Sequence, residues 1–448
     1  MRNDRGTGTA VVIGASMAGL GAARVLSERF GSVTVVDRDA LPADNTPRRG
    51  VPQGSHGHIL LTSGLRELAT LFDGLEDELL AGGGIRFDPG VGMRAYQYGR
   101  RSPAAPTGLE MIAMSRPLLE AVIRKRVGEL AGVTIRDQVA ATGLASADGR
   151  VTGVVLDTGE TLAADLTVDC SGRGSRSDRW LADLGLPAPE RVEVKAGVSY
   201  STRTYRRRPG DLADGVAFIV LPTAPAETRI GLVMPVEDDR WLIGLGGWHL
   251  DNPPTDPESF EAFVRALPDP AIAEVMDRAE PLTDPVIFRY PSSRRRLFER
   301  LPAHPAGYLA LGDAICSFNP IYGQGMTCAA REAVALGATL DKHQDATAEM
   351  ARDYYQAAAK VIATPWQFAA GGDFVYPQTT GPRPRGIKLT NWYARQIGLA
   401  SQIAPDIGAT FQSVQQLITP PGVLFQPAMI VRVLRLARRR LREEAPAR

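Results

Sequence analysis

An apolar run, Thr9 to Ile13, breaks off into Gly14-Ala15-Ser16-Met17-Ala18-Gly19, and that transition limits what the chain can become more than any other stretch. A glycine at position 14 lets a strand end in a tight turn, and one at 19 lets the following helix lie close to the sheet. The unpaired N–H groups at the helix start then face an anion. A second β-like run, Ser32 to Val36, ends on Asp37, 23 residues after Gly14, where a carboxylate accepts a bond from a ribose hydroxyl. Ser16 stands where this pattern usually has a middle glycine, which weakens the signal. Strand, turn, helix, strand and acid in this order predict a βαβ unit that binds a dinucleotide.

A length of 448 residues exceeds one ordinary core and predicts two or three domains. With a formal net charge of +1, no global field draws the chain to nucleic acid. Cys170, Cys316 and Cys328 are far apart and form no C-x-x-C, so neither a disulfide framework nor a zinc site is expected, and a reducing cytoplasm fits. The apolar stretch near the N-terminus is interrupted by Gly and Ser and is not a signal peptide. No run of about 20 apolar residues is present to cross a membrane.

After Asp37 and Arg38 comes a polar loop, Pro47-Arg-Arg-Gly-Val-Pro-Gln-Gly-Ser-His-Gly-His58, either a solvated connection or a lid over a ligand. His56 and His58 have no further ligand cluster beside them, so no metal is expected. Leu61, Leu65, Leu68, Leu71 and Leu75 predict one helix over 59–81, and 85–101 carries short β-like segments. Ser115-Arg116-Pro117 opens another helix. Arg116 there would meet a ribityl or phosphate group, or form a surface salt bridge. Strands are expected at Val133–Val139 and Val151–Leu156 with the turn Ala147-Asp-Gly between them, and a further strand runs into Asp169-Cys-Ser-Gly-Arg-Gly-Ser175.

Four β-like runs between Val194 and Trp248 predict an antiparallel sheet that needs a covering layer, with helical stretches at 257–267 and 270–279 and a strand near Val286–Tyr290. Tyr308-Leu-Ala-Leu-Gly312-Asp313 then repeats the strand-to-turn pattern. Phe318-Asn-Pro320-Ile-Tyr-Gly323-Gln-Gly325-Met326 leads into a small-residue helix. Two strand-to-helix anion sites at opposite ends of the chain imply one long ligand spanning both. In the last helix, Ile430, Val433, Leu434, Ala437 and Leu441 share one face, and Arg432, Arg435, Arg438, Arg439 and Arg442 the other. That basic face is either solvated or meets an anionic lipid or an acidic carrier protein.

Together, Gly14-x-Ser-x-x-Gly19 with Asp37, and Gly312-Asp313 with Pro320 and Gly323-Gln-Gly-Met326, resemble the FAD-dependent monooxygenases of the p-hydroxybenzoate hydroxylase type. The segments 48–58 and 312–326 look most like the polyene epoxidases of polyether-ionophore biosynthesis, such as those for lasalocid and monensin. The resemblance implies an α/β chain. Its Rossmann-like FAD-binding domain is discontinuous, 1–189 and 286–345, and 85–110 joins the substrate sheet. A β-sheet substrate domain spans 190–285 and a helical region 346–448. It implies cofactor contacts from Gly14, Ala15, Ser16, Gly19, Asp37, Arg38, Arg48, Gln53, Arg116, Val139, Gly312, Asp313, Pro320, Gly323, Gly325 and Met326, with the backbone of Pro320, Gly323 and Gly325 nearest the isoalloxazine.

The implied chemistry is oxygen transfer from a C4a-hydroperoxyflavin to an alkene of a polyketide, free or carrier-bound, with O₂ as co-substrate and no catalytic side chain or metal. Where aromatic hydroxylases carry an Asp-Gly pair, this chain has Ser171-Gly172 after Asp169-Cys170. Electrons therefore come from NAD(P)H directly or through a separate flavin reductase. Aromatic hydroxylation, a saturase or dehydrogenase, and a flavin-binding partner protein are the alternatives. A flavin halogenase is disfavoured, because its Trp-x-Trp-x-Ile-Pro signature is absent.

Overall fold

The computed structural model describes residues 6–249 and 252–444, and is built around a five-stranded parallel sheet. Its order is Tyr308–Ala310, Leu166–Asp169, Thr9–Ile13, Ser32–Val36, Val133–Arg136. The apolar runs read from sequence are buried on both faces, as a parallel sheet requires. Two helices, Met17–Leu26 and Gly325–Leu340, pack on one face. Small residues let them approach: a Cβ added to Gly21 would lie 3.1 Å from the Ala333 Cβ, and one on Gly337 3.3 Å from a Val25 methyl. Chain segments three hundred residues apart thus form one layer. On the other face lies a three-stranded antiparallel sheet, Ala141–Ala147, Arg150–Leu156 and Thr161–Ala163, whose Val154 and Leu156 meet Val11, Ile13 and Trp180.

The second large sheet has seven strands in the order Val286–Tyr290, Val198–Arg206, Arg240–Gly247, Arg229–Val236, Ala217–Val220, Met93–Gln97, Arg100–Arg101. Every pairing is antiparallel except Ala217–Val220 with Met93–Gln97. Tyr205, Phe218, Val233, Trp241 and Ile243 point to one face and are covered by Phe260, Val264, Ile272 and Val275 of the helices Pro257–Arg265 and Ala271–Arg278. Those helices are the covering layer that the sheet requires.

The C-terminal part is helical. Ala348–Trp366 runs into a wide turn at Gln367–Gly371, and Ile387–Ser401, Pro405–Gln415 and Pro427–Glu444 share a core of Tyr393, Ile397, Ile407, Val414 and Val433.

Three expectations are corrected. Residues 59–81 form two helices, Thr62–Leu71 and Leu75–Ala81, because Gly74 takes a left-handed conformation (φ +72°) and ends the periodicity. The strand expected to reach Val139 stops at Arg136, where Gln138 has φ +56°. The hairpin through Asp148-Gly149 pairs Arg150–Leu156 with Ala141–Ala147, whereas Val133–Arg136 belongs to the parallel sheet.

Candidate cofactor and substrate site

The sheet order brings two turns together. Gly14 has φ +104° and donates to the Val36 carbonyl at 2.7 Å. A Cβ on Gly19 would stand 1.7 Å from the Gly14 carbonyl oxygen, and one on Gly312 (φ +69°) 2.7 Å from the Ala18 Cβ. No larger side chain fits at these contacts without moving backbone. Asp37 is held at the strand end: Ala15 N–H donates to its Oδ2 at 2.7 Å and Asp39 N–H to its Oδ1 at 2.9 Å. The Val139 N–H donates to the Asp37 carbonyl, while Arg38 is exposed.

Above this turn, Arg48 reaches back from the 47–58 loop. Its guanidinium lies 3.1 Å from Asp37 and 3.0 Å from Asp39, 2.9 Å from Glu120, and donates to the Ala15 carbonyl at 3.1 Å. Burial alone would lower its pKa, but Glu120, Asp37 and Asp39 outweigh it and raise it. Arg116 donates to Ser16 Oγ at 2.8 Å and approaches Gln53 Oε1 at 3.5 Å. It opens the helix Arg116–Gly128, whose N-cap Ser115 accepts from Leu118 N–H. Glu120, one turn on, accepts from Ser16 Oγ at 3.1 Å; sequence reasoning missed it, although its i,i+4 spacing from Arg116 was available. Arg48, Arg116, Arg124, Glu120 and Val51 help line a narrow cleft.

At the second turn, Asp313 is directed among Arg116, Arg173 and Gly325, and has no hydrogen-bond partner among the described residues. Burial raises its pKa, against the pull of Arg116 and Arg173. The next loop is shaped by Pro320 and by Gly323 (φ +66°), whose added Cβ would lie 3.3 Å from the Ile59 Cβ, and it leads into Gly325 and the buried Met326. The buried Gln324 Oε1 also has no partner. Below the turn, Glu332 accepts the Gly312 N–H at 2.7 Å, and burial lifts its pKa to about 8, so that it is neutral at pH 7. Glycine-tight turns, an unpartnered carboxylate and adjacent cations could hold FAD, with Asp37 and Asp313 offering acceptors to hydroxyls and Arg48 and Arg116 cations to a pyrophosphate.

The loop is fixed from a direction the sequence did not reveal. Asp373, fully buried in the turn after the helix Ala348–Trp366, accepts from Asn319 Nδ2 at 3.0 Å, Tyr322 OH at 3.2 Å and Trp248 Nε1 at 3.1 Å. One carboxylate thereby ties the 318–326 loop, the seven-stranded sheet and the C-terminal region together. Burial raises its pKa to about 6. Asp169 is likewise saturated, accepting from Ser171 N–H and Oγ, Ser175 Oγ, Ser177 Oγ and Tyr308 OH.

The face of the seven-stranded sheet opposite its covering helices is apolar, with Ile230, Leu232, Met234 and Leu242 beside the partly exposed Gly244 and the buried Gly246. It meets the flavin loop and the 47–58 loop: an added Cβ on Gly246 would lie 3.7 Å from Ile321, and one on Gly57 3.2 Å from Leu232 and Met234. His56, buried, bonds Thr202 Oγ1 through Nδ1 at 2.8 Å and packs edge-on to Tyr200 at 4.7 Å, leaving Nε2 without a partner. Burial pulls its pKa down to about 4. His58 bonds the His56 carbonyl, and burial together with Arg116 holds its pKa at about 3. No cluster of residues suited to a metal occurs among the described residues.

The family described as FAD binding domain matches residues 7–368. The chain is 34% identical over 394 residues to protein Rv3254 of Mycobacterium tuberculosis (strain ATCC 25618 / H37Rv), covering 84% of this chain and 82% of that one. In fold it is similar to a flavoprotein/dehydrogenase from Cytophaga hutchinsonii, with a TM-score of 0.68, 17% identity and coverage of 98% and 99%. It is also similar to 2-methyl-3-hydroxypyridine-5-carboxylic acid oxygenase, with a TM-score of 0.57, 20% identity and coverage of 95% and 96%.

Proposed function

The chain belongs to the FAD binding domain family, and from that premise we propose that it is an FAD-dependent monooxygenase that epoxidises an alkene of a polyketide or similarly apolar natural product. Bound FAD, once reduced, supplies the activation of O₂. The protein's part is to hold the cofactor and the alkene and to keep water out. Gly14, Ala15, Ser16 and Gly19 carry the pyrophosphate at the helix start, assisted by Arg48 and Arg116, while Asp37 and Asp313 bind hydroxyls. The N–H groups at the start of Gly325–Leu340 would stabilise negative charge on the flavin ring.

The observation that carries epoxidation over phenol hydroxylation is the character of the substrate face. A phenol profits from a base that ionises it. The histidine nearest this face, His56, has its pKa lowered to about 4 by burial and is a weak base, while burial raises the Tyr200 hydroxyl's pKa above its ordinary value. An alkene needs neither. Ser171-Gly172, standing where aromatic hydroxylases carry an Asp-Gly pair, supports electron delivery by NAD(P)H through a separate reductase.

Rapid mixing of the reduced, FAD-loaded protein with O₂ is expected to give a transient absorbance matching neither oxidised nor reduced flavin. A direct return to the oxidised spectrum under all conditions removes the oxygenase reading. With ¹⁸O₂ and a polyene, one labelled oxygen in an epoxide supports the proposal. Label confined to a phenol gives the chain to aromatic hydroxylation, and turnover without label makes it a dehydrogenase.

A further inference from the structure

Charge is distributed very unevenly along this nearly neutral chain. Residues 377–448 hold eleven Lys and Arg against three Asp and Glu, a formal +8, so that the preceding 376 residues carry −7. Exposed apolar surface gathers in the same segment. Of seven large hydrophobic side chains exposed among the described residues, five lie here: Leu389 (67% exposed), Trp392 (48%), Phe425 (48%), Val431 (68%) and Leu441. A solvated basic face accounts for the arginines but not for an exposed tryptophan beside an exposed leucine.

The two features share helical stripes. On Pro427–Glu444, Val431, Arg435, Arg438 and Arg442 recur at spacings of four, three and four and are all exposed. Arg432 pairs with Asp406 and Arg439 with Glu443, and Arg440 is buried against Gln402 and Tyr98, whereas Arg435 and Arg438 have no carboxylate within ion-pair distance among the described residues. On the adjoining helix Ile387–Ser401, Lys388, Leu389 and Trp392 form a second exposed stripe, preceded by the exposed Arg385. Tyr393 packs on the Phe425 ring with centroids 5.5 Å apart, which joins the two stripes' surroundings.

We propose that this face docks on an anionic lipid surface, with Trp392, Leu389, Phe425 and Val431 entering the headgroup boundary and the unpaired arginines meeting lipid phosphates. Tryptophan and arginine interleaved with aliphatic side chains suit that boundary, where rings lie at headgroup depth and cations remain solvated. A second copy fits poorly where the two-fold axis passes through Pro427–Glu444, since arginine stripe would then face arginine stripe. No helix among the described residues is long and apolar enough to cross a membrane, so the contact lies on the surface.

The FAD-loaded full chain tests this by sedimentation with vesicles of phosphatidylcholine alone and with phosphatidylglycerol added. Binding is expected only to the anionic vesicles and weakens with salt. Arg435→Ala with Arg438→Ala should cost roughly 30-fold in affinity, at about one factor of five per arginine. Since Trp180, Trp241 and Trp248 are buried and Trp366 is partly buried against the main core, a blue shift of tryptophan emission on binding should vanish in Trp392→Phe. All substituted residues are exposed, and unchanged flavin content verifies the fold. Equal binding to neutral vesicles, no binding, or full affinity in the double-arginine variant overturns the proposal. Self-association lost in the same variants, without vesicle binding, assigns the face to a second copy instead.

Discussion

Asp373 offers a sharp test of how the C-terminal region holds the 318–326 loop. Its carboxyl is raised from 3.8 to about 6 by burial, against the pull of Trp248, Asn319 and Tyr322. At about 1.4 kcal/mol per decade, ionising it in the fold costs about 3 kcal/mol more than in the unfolded chain. The folded protein keeps this proton up to pH 6, whereas the unfolded chain releases it near pH 4. The contribution to stability is therefore full below pH 4, declines between 4 and 6, and is lost above 6. Asp373→Asn removes the titration and keeps an acceptor for Trp248 or Asn319. Urea unfolding of the FAD-loaded proteins should show the wild type losing about 3 kcal/mol relative to Asp373→Asn between pH 4 and pH 7. Asp373→Ala instead leaves the Trp248 indole and Asn319 amide donors unpaired, at about 1–3 kcal/mol each, and should release flavin more readily at every pH. A difference between wild type and Asp373→Asn that stays constant from pH 4 to pH 7 refutes the reasoning.

Gly19→Ala places a methyl 1.7 Å from the Gly14 carbonyl, so the purified variant should be colourless, with flavin content read from its visible spectrum. Asp313→Ala removes the unpartnered carboxylate and should weaken FAD binding roughly 10- to 100-fold by titration of the apoprotein, in keeping with a charged hydrogen bond; full occupancy in this variant would argue that the two turns do not share a ligand. Glu332, with its pKa raised from 4.5 to about 8, contributes stability that is full below about pH 4.5 and is lost progressively as pH rises to 8. Glu332→Gln should therefore gain in melting temperature on the wild type between pH 5 and pH 8, while Glu332→Ala, which orphans the Gly312 N–H, melts below Glu332→Gln throughout.

What could be read from the sequence were the elements whose cause is local. Gly14, Gly19 and Asp37 follow one another at spacings set by a single βαβ unit, and Ser115 caps the helix next to it. The alternating runs of the large sheet and the helices that cover it are equally local patterns. The break at Gly74 was missed because leucine spacing continues across it. The strand Val133–Arg136 was given to the wrong sheet because its partner, Ser32–Val36, lies a hundred residues earlier. Glu120, His56 and Asp373 become significant only through partners from remote elements. A buried carboxylate that takes bonds from residues 248, 319 and 322 leaves no trace in its own neighbourhood.

The parallel sheet also sets a timetable. Leu166–Asp169 pairs on one side with Thr9–Ile13 and on the other with Tyr308–Ala310, so during synthesis that second edge stays open while about 140 further residues are added. At about 5–20 residues per second this is on the order of 10–30 s. Throughout that interval the Gly14 turn is present and the Asp313 turn is not. Until Tyr308–Ala310 is made and pairs there, that strand edge is open to other chains, and a ligand that needs both turns can bind only afterwards.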